Sequence, residues 1–196
     1  DEVSRDSAAP GGGSVAALSG ALGAALGTMV ANLSISKSGF EKQKTNLSNI
    51  AQKGQDIKDK LINAIDEDTS AFDQVIKAMR MPKDTDKEKM ARDIEMQKGY
   101  QIATLVPLTT VKNCKEALEI CYDISKIMDD AMASDVGSGA CMANAGAISA
   151  AYNVRINIKS IKDIDFCEET NKELNKLLNE SDVLLRKISK IVEDTF

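Results

Sequence analysis

Histidine and tryptophan are absent from this chain of 196 residues, and aromatic residues make up only 4% of it. The lack of histidine removes the commonest general acid–base group and the commonest metal ligand of proteins. Any chemistry must therefore use carboxylates, amides, hydroxyls, amines or backbone groups, and we expect no metal site. The few aromatic residues and only three prolines favour an aliphatic, alanine-rich core between long helices over a β-sandwich.

An excess of basic residues is also missing. The formal net charge is −5, whereas a protein that binds nucleic acid needs a basic face for the phosphates. The four cysteines form no Cys-x-x-Cys pair, and in a chain of this kind they are predicted to be reduced, mostly buried thiols. No secretory signal is recognisable. We therefore expect a cytoplasmic protein without a nucleic-acid partner.

Residues 12–37 form the most apolar segment, and its length raises the question of a membrane span. Much of its apolar character comes from alanine and glycine, and Ser19, Thr28 and Asn32 interrupt it. This composition favours a helix buried in a bundle, and we expect no membrane association. Small residues on one face of this helix predict close packing inside the bundle or across a dimer: Gly20, Ala24, Gly27 and Ala31.

Hydrophobic periodicity predicts the other helices, at residues 41–80, 85–129, 130–160 and 168–194. In the second helix an apolar stripe runs from Leu47 to Met79 and includes Phe72, so these side chains are expected in the core. Thr85 and Glu88 have the spacing of a capping box, which favours a helix start at this point.

Two positions are expected to interrupt this pattern. Pro107 should kink or split the third helix, and the Gly-Ser-Gly run at residues 137–139 allows a break in the fourth. Residues 163–168 are predicted to be a short connection. The fold prediction is one all-α domain over residues 1–196, an antiparallel bundle of five to six long helices.

The most unusual local feature is the Pro-Gly-Gly-Gly-Ser run at residues 10–14. Three successive glycines, Gly11, Gly12 and Gly13, allow backbone conformations or close approaches that other residues do not. Ser14 lies near the cap of the first helix, where free N–H groups favour an anion or an electron-rich oxygen. The spacing of a P-loop is absent. The residues alone leave open a flexible lead-in to the helix or a loop that contacts a ligand.

Asp68 is unusual because it lies on the apolar stripe of the second helix. Its neighbour Asp66 is two positions away and belongs to the polar side. A carboxylate on a core face is costly unless it is paired, hydrogen-bonded or protonated, and burial raises its pKa toward a range useful for proton transfer. Two interpretations stay open: a buried structural Asp that caps or pairs with a neighbouring helix, or a proton carrier.

The fourth helix carries the remaining candidates. Asn153 and Asn157 are one turn apart on one face, so that their amides can read the edge of a heterocycle. Asp135 precedes Asn153 by eighteen residues, or about 27 Å of continuous helix. One small pocket in one subunit cannot easily hold both. Either the helix breaks near residues 137–139, or different subunits contribute to each site.

Five segments occur in an order that carries a resemblance: APGGGSVAALSGALGAALGTMVANLS, DEDTSAFDQVIKAMRMPKDT, TLVPL, SDVGSGA and AYNVRINI. Together they resemble the cyclodeaminase domain of formiminotransferase-cyclodeaminase and the related stand-alone methenyltetrahydrofolate cyclohydrolases. No single segment is decisive, but the ordered set is specific and spans nearly the whole chain.

The resemblance implies an all-helical homodimer that acts on a tetrahydrofolate derivative, with or without a polyglutamate tail, and needs no cofactor. The catalytic aspartate of the family falls on Asp68, which would be the general acid–base. The glycine loop with Ser14, together with Asp135, Asn153 and Asn157, would bind the substrate.

Three functions stay open on the sequence. The first is cyclodeamination, in which N10 of 5-formiminotetrahydrofolate attacks the formimino carbon and ammonia leaves. The second is the cyclohydrolase reaction, in which water opens 5,10-methenyltetrahydrofolate to 10-formyltetrahydrofolate. The third is a non-catalytic helical scaffold, which the presence of Asp68 and the glycine loop argues against.

Overall fold

The computed structural model describes residues 2–7 and 9–196, and within them it contains five α-helices and no strand. Three short 3₁₀ turns precede α1, α2 and α4, at Glu2–Ser4, Glu41–Gln43 and Asp130–Met132. The all-α prediction is therefore confirmed. The helices are α1 (Gly12–Ile35), α2 (Lys44–Met79), α3 (Asp86–Ser125), α4 (Ala133–Ile158) and α5 (Ile164–Glu193).

Helix α1 is the central element and packs along α2, α3 and α4, while α5 covers α3 and α4. The first turn of α1 meets the second half of α2, where Ser14 bonds to Ile65. Further along, Thr28 of α1 lies beside Gly54 of α2. These two contacts make α1 and α2 antiparallel, and they bring the start of α1 to the part of α2 that carries Asp68.

The stripe of small residues on α1 allows this close packing. All four of its members are buried. A Cβ added at Gly20 would lie 2.4 Å from the sulfur of Cys114, and one at Gly27 would lie 3.0 Å from the Cγ2 of Ile120. The stripe therefore packs inside the bundle, and the alternative of packing across a dimer is not needed to explain it.

Helix α1 is also the one helix in the described part of the chain that is long and apolar enough to cross a membrane. Its best 18-residue window has a mean hydropathy of 1.6, and 61% of that window is buried in the bundle. The core helix of a bundle passes the same test of length and composition.

Neither predicted interruption breaks a helix. α3 continues through Pro107, and α4 continues through residues 137–139. The glycines of α4 are there for packing, because Gly139 lies against the backbone of Gly23. The predicted capping box of Thr85 and Glu88 is present.

Two helix ends differ from the prediction. α3 ends at Ser125 rather than near residue 129. α5 begins at Ile164, inside the predicted connection, because the carboxylate of Asp163 caps it by accepting from the N–H of Phe166 at 3.1 Å.

The apolar stripe of α2 is only partly core. Leu47 and Leu61 are fully buried, but Phe72 and Met79 are 38% and 40% exposed, so the prediction of core positions was wrong for these two. The thiols also divide into two groups. Cys114 and Cys121 are buried, and burial raises the pKa of each to about 12; Cys141 is exposed and Cys167 is half-buried.

Candidate active site

Asp68 reaches across from α2 to the first turn of α1. Its Oδ2 lies 3.1 Å from the Oγ of Ser14, and its carboxylate also accepts from the backbone N–H of Ser14. The first N–H groups of a helix have no partner within the helix and favour a negative charge. The carboxyl of Asp68 therefore takes the place at the start of α1 that favours an anion or an electron-rich oxygen.

The hydroxyl of Ser14 has two acceptors within reach. Besides Asp68, the carbonyl oxygen of Ile65 lies 3.2 Å from the Oγ. A hydroxyl has one hydrogen to donate, so it donates to the ionised carboxylate or, when Asp68 holds a proton and donates to the Oγ, to Ile65. Ser14 can accommodate both protonation states of Asp68.

The lack of a side chain at Gly13 leaves room for the carboxyl of Asp68. A Cβ at Gly13 would lie 2.0 Å from the Oδ1 of Asp68 and 2.5 Å from its Cγ. Any side chain at this position would occupy the space of the carboxylate. One glycine of the loop is thus required by the approach of a protein carboxylate rather than by a positive φ.

The pKa of Asp68 is raised above its usual value. Burial is the largest cause, and the hydrogen bonds from the hydroxyl and the N–H of Ser14 oppose it. Asp66, on the polar side of the same helix, is exposed. A carboxyl whose pKa is raised by desolvation, but which keeps access to a cleft, is suited to proton transfer.

Asp68 opens into a cleft of about 310 Å³ between the start of α1 and parts of α2, α3 and α4. This volume is at the lower end of the range for small-molecule sites. The apolar part of its wall comes mainly from α2, where Phe72, Val75, Ile76 and Met79 follow Asp68. Polar groups enter from the opposite side through Asn153 and Asn157 of α4.

Both asparagines turn their NH₂ groups toward the protein backbone. The Nδ2 of Asn153 donates to the carbonyl of Ser149 at 3.0 Å, and the Nδ2 of Asn157 donates to the carbonyl of Ala103 at 2.6 Å. Each amide therefore keeps its oxygen free as a hydrogen-bond acceptor, together with the second N–H of its NH₂ group. Two hydrogen-bond acceptors suit a ligand edge that carries N–H donors.

The structure brings together most, but not all, of the predicted site residues. Gly11, Gly12, Gly13, Asp68, Asn153 and Asn157 line one cleft. Ser14 is only 3% exposed and lies behind Asp68. Asp135 lies in the first turn of the unbroken α4, more than four turns from Asn153, so it does not join the cleft of its own chain.

Sequence reasoning missed the contribution of α3. Tyr100 and Ala103 line the cleft, and no motif marks them. A signal did exist for Phe72 and Met79, because they lie four and eleven residues after Asp68 and so share its face of α2. A face that carries a functional carboxylate is also the face that must open to a ligand.

Known proteins include relatives of this chain. Methenyltetrahydrofolate cyclohydrolase of Methylorubrum extorquens is 37% identical over 193 residues, which are 98% of this chain and 93% of that protein. Formimidoyltransferase-cyclodeaminase of Gallus gallus is 38% identical over 178 residues, which are 89% of this chain. This chain matches only 32% of the length of the Gallus gallus protein.

The fold has a solved relative. The crystal structure of formiminotetrahydrofolate cyclodeaminase from Thermotoga maritima matches with a TM-score of 0.89 and 26% identity, covering 99% of this chain and 93% of that one. The family model described as formiminotransferase-cyclodeaminase matches residues 1–176. With most of its length matched to that model and most of its cleft built from segments that carry the resemblance, the chain belongs to the formiminotransferase-cyclodeaminase family.

Proposed function

We propose that this chain is a folate one-carbon enzyme, a formimidoyltetrahydrofolate cyclodeaminase that forms 5,10-methenyltetrahydrofolate and ammonia. The observation that carries the proposal is Asp68, a half-buried carboxyl with a raised pKa, held by Ser14 at the mouth of a cleft. The proposed reaction needs no redox cofactor, since no oxidation state changes, and Asp68 supplies the proton transfer without a metal.

In the proposed reaction, N10 attacks the formimino carbon on N5, and the N10 proton passes to the formimino nitrogen. This step gives a neutral tetrahedral carbon that carries an NH₂ group. Neutral Asp68 then protonates the NH₂ group, the carbon–nitrogen bond breaks and ammonia leaves. The products are the methenyl cation and the Asp68 carboxylate, whose negative charge stabilises the cation beside it.

The amides of Asn153 and Asn157 support recognition of a pterin. The pyrimidine edge of a pterin carries an amino group and a ring N–H, both donors, which match the two amide oxygens that remain free. A cleft of about 310 Å³ suits the bicyclic ring. We propose that the aminobenzoyl-glutamate tail of the bound substrate, with one glutamate or several, extends out of the cleft through its opening to solvent.

A second candidate is the cyclohydrolase reaction. The observation that favours it is the match of nearly full length to the Methylorubrum extorquens cyclohydrolase. Here the Asp68 carboxylate takes a proton from the water that adds to the methenyl carbon. Asp68 then returns that proton to N5 as the N5–carbon bond breaks, and the second proton of the water is released as the formyl group on N10 forms.

An absorbance assay tests the proposal and separates its two forms. Purified protein is given 5-formiminotetrahydrofolate or 5,10-methenyltetrahydrofolate, and the methenyl absorbance is followed against the uncatalysed rate. Formation of 5,10-methenyltetrahydrofolate from the formimino compound supports the cyclodeaminase. Consumption of 5,10-methenyltetrahydrofolate, without a comparable rate of its formation, supports the cyclohydrolase. Inactivity on both would leave the scaffold interpretation.

The pH dependence of kcat/KM is expected to have opposite signs for the two reactions. Cyclodeamination begins with neutral Asp68, so its rate should fall as the pH rises through the raised pKa of that carboxyl. The cyclohydrolase reaction begins with the carboxylate, so its rate should fall as the pH is lowered through the same pKa. A profile measured on each substrate checks the sign, and a profile that is flat in both cases would argue against Asp68 as the titrating group.

We also propose a cytoplasmic homodimer. Apolar side chains are exposed in rows on α1 (Leu18, Leu22, Met29 and Leu33) and on α4 (Ile148, Tyr152 and Ile156), a pattern that marks an interface. A twofold axis near the middle of α4 would set the first turn of one α4 beside the last turns of the other. The proposed dimer would thereby bring Asp135 of the partner subunit toward the cleft.

Light scattering tests the dimer. The wild-type chain of 21.1 kDa is expected at about twice that mass, whereas Leu22→Glu should lower the mass to that of one chain, because it places a charge in the apolar row. Val183→Glu is the matched control, since Val183 is also exposed but lies on α5. A wild-type protein that runs as a single chain at micromolar concentration would exclude the dimer.

A further inference from the structure

Pro107 lies inside α3, buried, at a position where a proline is costly. A proline has no N–H, so the bond that residue 107 would normally donate to the carbonyl of Ala103, four residues earlier, cannot form. The helix nevertheless continues for eighteen residues to Ser125. The carbonyl of Ala103 is therefore left without its usual helical donor, and Ala103 is one of the residues that line the cleft.

The donor that replaces the missing N–H comes from another helix. The Nδ2 of Asn157 in α4 lies 2.6 Å from the carbonyl oxygen of Ala103. A carbonyl can only accept a hydrogen bond, so this contact allows one orientation of the Asn157 amide and excludes the flipped one, in which two oxygens would face each other. The oxygen of the amide is thereby turned away from α3.

We propose that Pro107 is a positioning residue for substrate recognition: it frees the carbonyl of Ala103, which fixes the Asn157 amide with its oxygen as the acceptor in the cleft. The oxygen held in this orientation favours a ligand edge that carries N–H donors, as a pterin does. The binding part of this inference rests on the proposed function, but the link between Pro107 and Asn157 does not.

In the described part of the chain, the side-chain hydrogen bond that Asn157 makes goes to the carbonyl of Ala103. The titratable side chains in the described wall of the cleft are Asp68 and Tyr100. Asp68 is already hydrogen-bonded to Ser14. The neighbouring hydroxyl of Thr104 donates to the carbonyl of Tyr100, within α3. The amide of Asn157 is therefore oriented by the carbonyl that Pro107 leaves free.

A double-mutant cycle in thermal stability, measured without substrate, tests the link. In the wild-type background, Asn157→Ala removes the donor to Ala103, and we expect the thermal midpoint to fall by about 2–4 °C. In a Pro107→Ala background, the restored N–H of residue 107 satisfies the carbonyl, and the same change should have almost no effect. Because the cycle compares the effect of Asn157→Ala in the two backgrounds, the separate cost of removing the proline ring cancels.

Steady-state kinetics test the role in binding. Pro107→Ala should raise KM about tenfold, the equivalent of one oriented hydrogen bond, with kcat within about twofold, because the bond is the same in the ground and transition states. Asn157→Ala should raise KM similarly, and the double variant should add nothing. Pro82→Ala, which restores no N–H to α3, is the control and should show no coupling to Asn157.

Each outcome decides the proposal. Equal losses of thermal stability from Asn157→Ala in the two backgrounds would overturn the proposal. Thermal coupling between Pro107 and Asn157 without a change in KM would overturn it as well. If Pro107→Ala does not fold, Pro107→Ser restores the same N–H and takes its place. Should the wild-type protein act on neither folate, the proposed function fails, while the thermal cycle still decides the link between Pro107 and Asn157.

Discussion

Replacing Asp68 with Asn is expected to lower kcat/KM by about 10²–10⁴-fold, the range of a lost general acid–base group. The amide keeps the shape of the carboxyl and can still meet the hydroxyl of Ser14, but it cannot carry the proton to the departing nitrogen. The measurement is the methenyl absorbance assay with each substrate. Near-normal turnover by a folded Asp68→Asn protein would remove Asp68 from the mechanism.

The matched control is Asp66→Asn, which makes the same chemical change two residues earlier on the exposed side of α2 and should leave the rates unchanged.

The thermal stability of Asp68→Asn provides a second check. Because the folded-state pKa of Asp68 is raised, stabilisation by the neutral carboxyl is lost as the pH rises through that pKa. Asn resembles the neutral form, so the thermal midpoint of Asp68→Asn at neutral pH should not be below that of the wild type. The difference should shrink as the medium is made more acidic.

Replacing Gly13 with Ala is expected to reduce kcat/KM by about 10²-fold or more, although the substitution removes no reactive group. The new Cβ would lie 2.0 Å from the Oδ1 of Asp68, so the carboxyl has to turn away and lose its bonds to Ser14. A displacement of about 1 Å at a reacting group costs about 10²-fold in rate. The same assay measures the loss, with circular dichroism to check that the helices remain.

Gly137→Ala is the control for adding a methyl group to a helical glycine. Its Cβ would meet a methyl group of Val192 at 3.2 Å, far from the cleft, where the side chain of Val192 can adjust by a few tenths of an ångström. We expect the activity of Gly137→Ala to match the wild type. If Gly13→Ala were equally active, the close approach between Gly13 and Asp68 could not be a requirement of catalysis.

Local sequence signals predicted the main features of this fold. Apolar periodicity located the five helices, and the Thr85–Glu88 spacing located the start of α3. The same periodicity separated Asp68 from Asp66 on opposite sides of α2. Each of these predictions depends on the repeat of one helix or one turn, which the chain itself encodes.

Whether a helix breaks at Pro107 or at residues 137–139 depends on a neighbouring helix. Pro107 was expected to kink or split α3, and residues 137–139 allowed a break in α4, yet both helices continue without a break. At Pro107 the missing bond is replaced by the side chain of Asn157, which lies fifty residues later in the chain. At Gly139 the small residue is needed by the backbone of Gly23. Neither partner can be identified from the local pattern.

The sequence by itself determined which residues are candidates for the chemistry, because a chain without histidine offers Asp68 on an apolar face, a run of glycines and two amides one turn apart. Only the tertiary structure decided how they act together. The antiparallel packing of α1 and α2 brings Gly13 and Ser14 to Asp68, and α3 adds a wall that no motif predicted. The physical reason is that helical periodicity is a property of one segment, whereas the burial of Asp68 and the orientation of Asn157 depend on atoms from other helices.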